Sequence, residues 1–175
     1  MTPMVPFWVA TTGPGLAQGD YLPRCLIPTF PEGFGQPDAV QEVLVGSGDL
    51  IVVTQSCDLE NQKSGFVALC AIHTLAQFEQ VNPAFAKRGM WEEVRKGRRE
   101  GLHLVAGPEN PANNREALVV DFRQIVSLPH AYLCRHAALL GDRWRFQPPF
   151  LEHFSQAFAR FFMWVGLPSA IPKYD

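Results

Sequence analysis

The sequence lacks the long apolar run of roughly 18 residues that a membrane-spanning helix needs. Its first residues also lack the basic start and continuous apolar core of a signal peptide. The four cysteines, Cys25, Cys57, Cys70 and Cys134, are widely spaced and do not form the dense pattern of a disulfide-stabilised secreted domain. We therefore expect reduced thiols, a cytoplasmic location and no contact with a membrane.

Neither charge is in large excess, because 15 basic residues balance 17 acidic ones and the net charge is -2. A global positive field toward nucleic acid is therefore absent, and nucleic-acid binding requires a local basic patch. Hydrophobic residues make up 47% of the chain and charged ones only 18%, which excludes general disorder. The abundance of Phe, Pro and Gly predicts one α+β domain over residues 1–175, built from short elements.

Two apolar segments, Leu50 to Val53 and Phe66 to Ile72, predict core strands joined by a polar loop. Gly46 to Asp49 is expected to be the turn into the first of them. Residues 1–17 are expected to form an extended N-terminal arm. Residues 76–115 are expected to form a mainly helical insertion.

A C-terminal amphipathic helix is predicted over residues 149–166, because prolines precede it and a glycine ends it. His153, Gln156 and Arg160 share one stripe of this helix. They either tie the loop after Val53 to the helix or line a cleft with that loop. A neighbouring stripe is predicted to be buried, and it consists of Phe150, Phe154, Phe158, Phe161 and Val165.

The loop after Val53 supplies the first candidate site. Cys57 could act as a nucleophile if His153 or His103 served as its base and Gln55 donated to an oxyanion. The adjacent carboxylate of Asp58 opposes formation of the thiolate. In the alternative interpretation, Cys57 packs against the fold while Gln55 and Asp58 cap the loop.

The second candidate site is the basic cluster of the insertion, which consists of Lys87, Arg88, Arg95, Lys96, Arg98 and Arg99. Its cations could contact phosphates while Trp91 stacks on a base. Glu92, Glu93 and Glu100 also allow a solvated, ion-paired helix face. The candidate residues for binding nucleic acid or a partner are Trp91, Arg95, Arg98, Arg99, His103 and Arg160.

Metal binding is not expected. Cys70 with His73, and Cys134 with His136, offer thiolate and imidazole, the usual ligands of zinc. Neither pair has the tight spacing of a structural zinc knuckle, and Cys70 lies in an apolar strand. We predict no metal and no cofactor.

The order of elements resembles the PemK/MazF-like family, an SH3-like β-barrel with a C-terminal helix. The segments that carry the resemblance are Gln18-Gly19-Asp20, Leu50 to Ile72, Val119 to Leu128 and Val165 to Leu167. The resemblance implies such a barrel here, with residues 76–115 inserted. Residues 54–59 and the helix from Glu152 to Arg160 also look similar to segments of uncharacterised bacterial proteins.

The PemK/MazF-like family includes toxins that cleave RNA without a metal, using Arg with hydroxyl or acidic partners. The Arg-Pro that usually opens its central strand is replaced here by Asp49-Leu50, so ribonuclease activity is not carried over. We therefore predict a bacterial binding or accessory module of toxin or phage-defence systems. Its partner would be nucleic acid or a protein, a second copy of the chain included.

An enzyme is the alternative prediction. One form is a metal-independent endoribonuclease of the toxin type that uses Arg98, Arg99, His103 and Asp121. The other is a hydrolase built on Cys57. An enzyme requires a concave pocket in which Cys57 or Asp58 lies within hydrogen-bond reach of an Arg or His.

Overall fold

The computed structural model describes residues 6–38, 41–61 and 63–163, and within these ranges the fold is mixed α+β. None of the described helices is both long and apolar enough to cross a bilayer. The strands are β1 Trp8–Thr11, β2 Tyr21–Thr29, β3 Leu44–Val52, β4 Phe66–Thr74, β5 Leu102–Val105, β6 Leu118–Pro129 and β7 Arg143–Phe146. The helices are α1 Ser56–Glu60, α2 Leu75–Val81, α3 Met90–Arg95, α4 His130–Leu140 and α5 Phe150–Phe162.

Five strands form one antiparallel sheet in the order β2-β3-β4-β6-β5, and β1 pairs with β7 in a separate ribbon. The ribbon meets the start of β2, where the Phe146 amide donates to the Gly19 carbonyl at 3.1 Å. A closed barrel would need β1 to pair with β5. Within the described residues no such pairing occurs, and the Trp8 indole donates to the Ala106 carbonyl, 2.8 Å away, near this gap. The predicted SH3-like barrel is therefore not observed.

Helix α5 covers the open side between the ribbon and β5. Phe154 is fully buried, and its ring centroid lies 5.1 Å from that of Phe146 in β7 and 5.8 Å from that of Phe122 in β6. Phe158 and Phe161 are half-buried. The predicted apolar stripe is thus found on the packed side of the helix. Val165 and the predicted helix end at residue 166 lie outside the described residues.

Alternation along the strands gives the five-stranded sheet two packed faces. Ile51 and Cys70 point to the inner face, under the ribbon and α5. Leu50 and Leu69 point to the outer face, which α1 and α4 cover. Because neighbours in sequence point to opposite faces, α1 and α5 lie on opposite sides of the sheet.

The predicted insertion, residues 76–115, packs on the main sheet and contributes a strand to it. Phe78 of α2 and Val94 of α3 are buried against Leu102 and Val119 on the outer face. Strand β5 pairs with β6 and forms one edge of the sheet. Thr74 begins α2 with a capping box, in which its side chain accepts from the Gln77 amide, a favourable arrangement for a short helix.

A buried ion-pair cluster fixes the N-terminal segment to the fold. The carboxylate of Asp20 is fully buried and accepts from Arg143 Nη2 at 3.1 Å and from the guanidinium of Arg145. Arg143 also donates to the Gly13 carbonyl at 2.7 Å. Within the segment predicted as an extended N-terminal arm, residues 1–17, residues 8–11 form strand β1, which pairs with β7.

Two predicted boundaries differ from the structure. Gly46 to Asp49 is not a turn but part of β3. A Cβ atom at Gly48 would lie 3.0 Å from the side chain of Ile27 in the neighbouring strand β2. The glycine therefore leaves space for the Ile27 side chain to lie over β3. The predicted polar loop after Val53 contains the short helix α1.

Candidate functional site

The first predicted site lies at the end of β3 and in α1. Cys57 is exposed, and its thiol lies 3.7 Å from Gln55 Oε1 and 3.8 Å from Asp58 Oδ1. Asp58 forms an exposed ion pair with Lys63 at 2.9 Å. Among the described residues no histidine contacts the thiol, and the cation near it, Lys63, is shared with Asp58. A thiolate at Cys57 would therefore have no base beside it and little positive charge to stabilise it.

The structure does not bring this loop to α5. The loop instead contacts the turn before β2, where the backbone N–H of Gln18 donates to Ser56 Oγ at 3.1 Å. Helix α1 packs on the outer face through Leu59, whereas α5 packs on the inner face through Phe154. Among the described residues, no hydrogen bond or ion pair joins residues 54–58 to His153 or Arg160. Of the predicted group, Cys57, Gln55 and Asp58 lie together, whereas His153 belongs to α5, which packs on the opposite face of the sheet.

Most of the second predicted site is assembled in one cleft. The cleft has a volume of about 460 Å³, lies at the β5 edge of the sheet, and separates the segment from α3 to β5 from the last turns of α5. Arg95, Arg98, Arg99, His103 and Arg160 all line it. We call it the basic cleft.

A glycine allows the two walls of the basic cleft to approach each other. Gly101 has φ +77°, and a Cβ atom there would lie 3.2 Å from the Phe161 ring of α5 and 2.9 Å from Arg123. Only glycine adopts this backbone conformation without strain. Sequence reasoning placed Phe161 in the core and gave Gly101 no role in a site, although a glycine beside a basic cluster was a usable signal.

The arginines of the basic cleft differ in how well they are neutralised. Arg95 donates to both carboxylate oxygens of Glu92, at 2.7 and 2.6 Å, and lowers the pKa of that carboxyl group to about 2. Arg98 is paired with Glu93 at 3.2 Å. The ion pairing that was one of the two alternatives is therefore present for these two residues, although only Arg95 lies on a helix, since α3 ends there.

Arg99 and Arg160 have no carboxylate partner among the described residues. Arg99 donates to the sulfur of Met90 at 3.5 Å, and Arg160 is exposed near the end of α5. The two side chains come from opposite walls of the basic cleft. An anion in the cleft could therefore be bound by two arginines whose charges are not already neutralised.

His103 is the histidine of this cleft. Its ring stacks on Phe122 with centroids 6.0 Å apart and an angle of 17° between the planes. Burial, and secondarily the nearby His153, lower the pKa of His103 to about 4. The imidazole is therefore neutral at physiological pH, and it can donate or accept a hydrogen bond but is a weak base.

Trp91 and Asp121 are committed to the fold. Trp91 donates to Glu79 Oε1 at 2.7 Å and packs between Phe78 and Phe85, so its ring is half-buried and not free to stack on a base. Asp121 is buried and accepts from Arg123 at 2.8 Å, which lowers the pKa of the carboxyl group against the opposing effect of burial.

Across the described part of the chain, no group of three or more His, Cys, Asp or Glu side chains is placed to hold a metal ion. All four cysteines are free thiols. Cys134 contacts His130, with its sulfur 3.6 Å from Nε2, and burial raises the pKa of this thiol. His136 instead binds the Pro23 carbonyl at 2.8 Å.

No protein-family model matches the chain, and no curated protein matches it in sequence.

Proposed function

We propose that the chain is a binding module whose basic cleft takes single-stranded nucleic acid. The observation that carries the proposal is the position of Arg99 and Arg160 on opposite walls of one cleft, where neither has a carboxylate partner among residues 6–38, 41–61 and 63–163. Phosphate contacts by such side chains supply most of non-specific nucleic-acid affinity. The net charge of -2 does not oppose a contact this local.

Aromatic side chains beside the arginines support a single strand as the ligand. Phe161 lines the basic cleft, and Phe162 is 48% exposed next to it. Unstacked bases pack on aromatic rings in proteins that bind single strands, while arginines contact the backbone. In a duplex the bases are stacked on each other, so these rings would gain no partner.

Binding without cleavage accounts better for the geometry than a toxin-type ribonuclease. Asp121 is paired with Arg123, and Arg98 is paired with Glu93, so neither side chain is free to act on a substrate. His103, with a pKa of about 4, is a poor general base near pH 7. A hydrolase built on Cys57 has less support still, because the described contacts of that thiol are with Gln55 and Asp58 and include no histidine.

A relationship to the PemK/MazF-like family, with a role in toxin or phage-defence systems, belongs to the same proposal. Its support is the order of elements and the Gly19-Asp20 turn at the start of β2. Gly19 has φ +83°, and Asp20 is the buried centre of the ion-pair cluster. This turn therefore has a structural reason for its two residue types.

The test is fluorescence anisotropy with end-labelled single-stranded RNA, single-stranded DNA and duplex DNA of equal length. We expect the single strands to bind more tightly than the duplex. The double variant Arg99→Ala, Arg160→Ala should weaken binding at least about tenfold and reduce the slope of log K against log salt by about two. The matched control is Arg135→Ala, an exposed arginine of α4 on the outer face, which should leave affinity unchanged.

The same mixtures run on a denaturing gel separate binding from cleavage. Intact RNA in all lanes is the expected result. If the wild type cleaves the RNA and the His103→Gln variant does not, the chain is a ribonuclease and the proposal of a binding module is wrong. Equal affinity of the wild type and the double variant would remove the basic cleft as the interface.

A further inference from the structure

The far end of the β2–β3 hairpin exposes an unusual amount of apolar surface. We call residues 26–38 and 41–45 the acidic arm. Of the thirteen large hydrophobic side chains that are exposed in the described residues, six belong to it. They are Leu26, Phe30, Phe34, Val43, Leu44 and Val45.

Beyond Ile27 the acidic arm is exposed on both faces, because it extends past the elements that cover the sheet. Pro28 pairs with Val45, and Thr29 with Leu44; cross-strand pairs point to one face and adjacent pairs to opposite faces. All four residues are exposed. Exposed apolar patches of this kind mark interaction surfaces.

The charge of the acidic arm has one sign. Glu32, Asp38 and Glu42 are exposed, and the sequence from residue 25 to residue 62 contains no Lys or Arg. None of the three carboxylates forms an ion pair with another described residue. The partner of this surface must therefore combine basic and apolar side chains.

The basic cleft combines these two properties. Within the part of the chain that the structure describes, Arg99 and Arg160 have no carboxylate partner there. Phe161 lines the wall, and Phe162 and Met163 are exposed at the end of α5. Complementary charge and apolar surface on the two sides is what a specific protein interface requires.

We propose that the acidic arm of one copy of the chain docks on the basic cleft of a second copy. The arm cannot occupy its own cleft readily, because it extends from the β2–β3 side of the sheet and the cleft lies at the β5 edge, on the opposite side. Pairing of two arms with each other would bring six carboxylates together. A reciprocal exchange, with each arm on the other copy's cleft, gives a closed two-fold dimer.

This inference does not rest on nucleic-acid binding, but it has a consequence for it. The same two arginines cannot contact a phosphate and a carboxylate of the arm at once. Nucleic acid and the second copy would therefore compete, and the dimer would be the unliganded form.

The experiment is sedimentation velocity of the full chain at about 100 µM in low salt, followed by dilution and by added salt. We expect a dimer that dissociates as salt rises, because the contact is electrostatic. Two charge-reversed variants test the surfaces: Glu32→Lys with Glu42→Lys in the arm, and Arg99→Glu with Arg160→Glu in the cleft. Each alone should be a monomer.

Mixing the two charge-reversed variants is the decisive step. The basic arm of the first then fits the acidic cleft of the second, and the unchanged acidic arm of the second fits the unchanged basic cleft of the first. We expect the mixture to recover the heterodimer. Glu60→Lys, an exposed charge reversal on α1, is the matched control and should remain a dimer.

A monomeric wild type at this concentration would overturn the proposal, as would a dimer that survives either reversal or a mixture that stays monomeric. Circular dichroism of each variant checks folding. If a reversed variant is unfolded, Phe30→Ser with Leu44→Ser tests the same arm without changing its charge, and an unchanged dimerisation constant would then overturn it. Failure of RNA binding in a chain that dimerises as described would remove only the proposed function.

Discussion

His103 of β5 lies face to face with Phe122 of β6, with the ring centroids 6.0 Å apart. The contact holds an imidazole at the inner side of the basic cleft, where burial and His153 lower its pKa to about 4. The neutral imidazole packs on the apolar rings without an energetic penalty, whereas protonation would place a positive charge against them. Folding and protonation of His103 are therefore coupled.

That coupling predicts how stability depends on pH. The pKa of His103 is about 4 in the folded chain and about 6.5 when unfolded, so between these values the unfolded state binds more protons. The free energy of unfolding should fall as the pH decreases from 6.5 to 4, by at most about 3 kcal/mol. Urea unfolding at several pH values measures it, and His103→Phe should reduce this slope. His73, whose pKa burial also lowers, contributes to what remains. An NMR titration of His103 with a midpoint near 6.5 would contradict the assignment.

The Asp20 cluster predicts a large loss of stability on removal of a single group. Asp20→Asn would leave the guanidinium of Arg143, which is fully buried, without its carboxylate, and Arg145 would lose the same partner. Breaking a buried pair in this way costs about 3–5 kcal/mol. Urea unfolding gives the difference. The control is Arg135→Ala, an exposed arginine of α4 with no ion pair among the described residues, which is expected within about 0.5 kcal/mol of the wild type. Comparable losses in the two variants would mean that the cluster is not specifically stabilising.

The elements predicted most accurately from the sequence are those with strong local patterns. The apolar segments after Asp49 and Gly65 lie in β3 and β4. The residues with Phe at helical spacing lie in α5. The sequence did not allow us to predict how these elements are arranged in space. Whether the strands close into a barrel depends on pairing between β1 and β5, which are separated by some ninety residues in the sequence, and no local pattern encodes it.

The candidate sites show the same division. The basic cluster and Arg160 could be named from composition and helix spacing, and the fold places them around one cleft. Cys57 and His153 were grouped because each was reactive by type, but they lie on elements that pack on opposite faces of the sheet. Carboxylates neutralise Arg95 and Arg98 through ion pairs. These pairs depend on side-chain conformations, so the sequence alone does not show which arginines are neutralised.

The cysteines should differ sharply in reactivity toward a thiol reagent. Cys57 is exposed, whereas Cys25 and Cys70 are buried, and burial raises the pKa of both buried thiols to about 12. In the native chain we expect one fast reaction, from Cys57, and reaction of the buried pair only after addition of denaturant. Cys57→Ser should abolish the fast phase and leave folding intact. A fast phase that survives this substitution would place a reactive thiol elsewhere, with half-buried Cys134 the next to test.

Gly107 should tolerate no larger residue. It is buried in the segment after β5, and a Cβ atom there would lie 2.4 Å from the Glu116 carbonyl oxygen, which belongs to the backbone and cannot swing aside. Gly107→Ala must therefore displace one of the two segments next to the β5–β6 pair, at a cost of about 1–3 kcal/mol. Gly65→Ala is the matched control, because nothing lies within 4 Å of a Cβ atom at that position. Thermal unfolding should show a clear decrease in Tm for the first variant and little change for the second, and equal melting temperatures would show that the close approach at Gly107 is not a constraint on the fold.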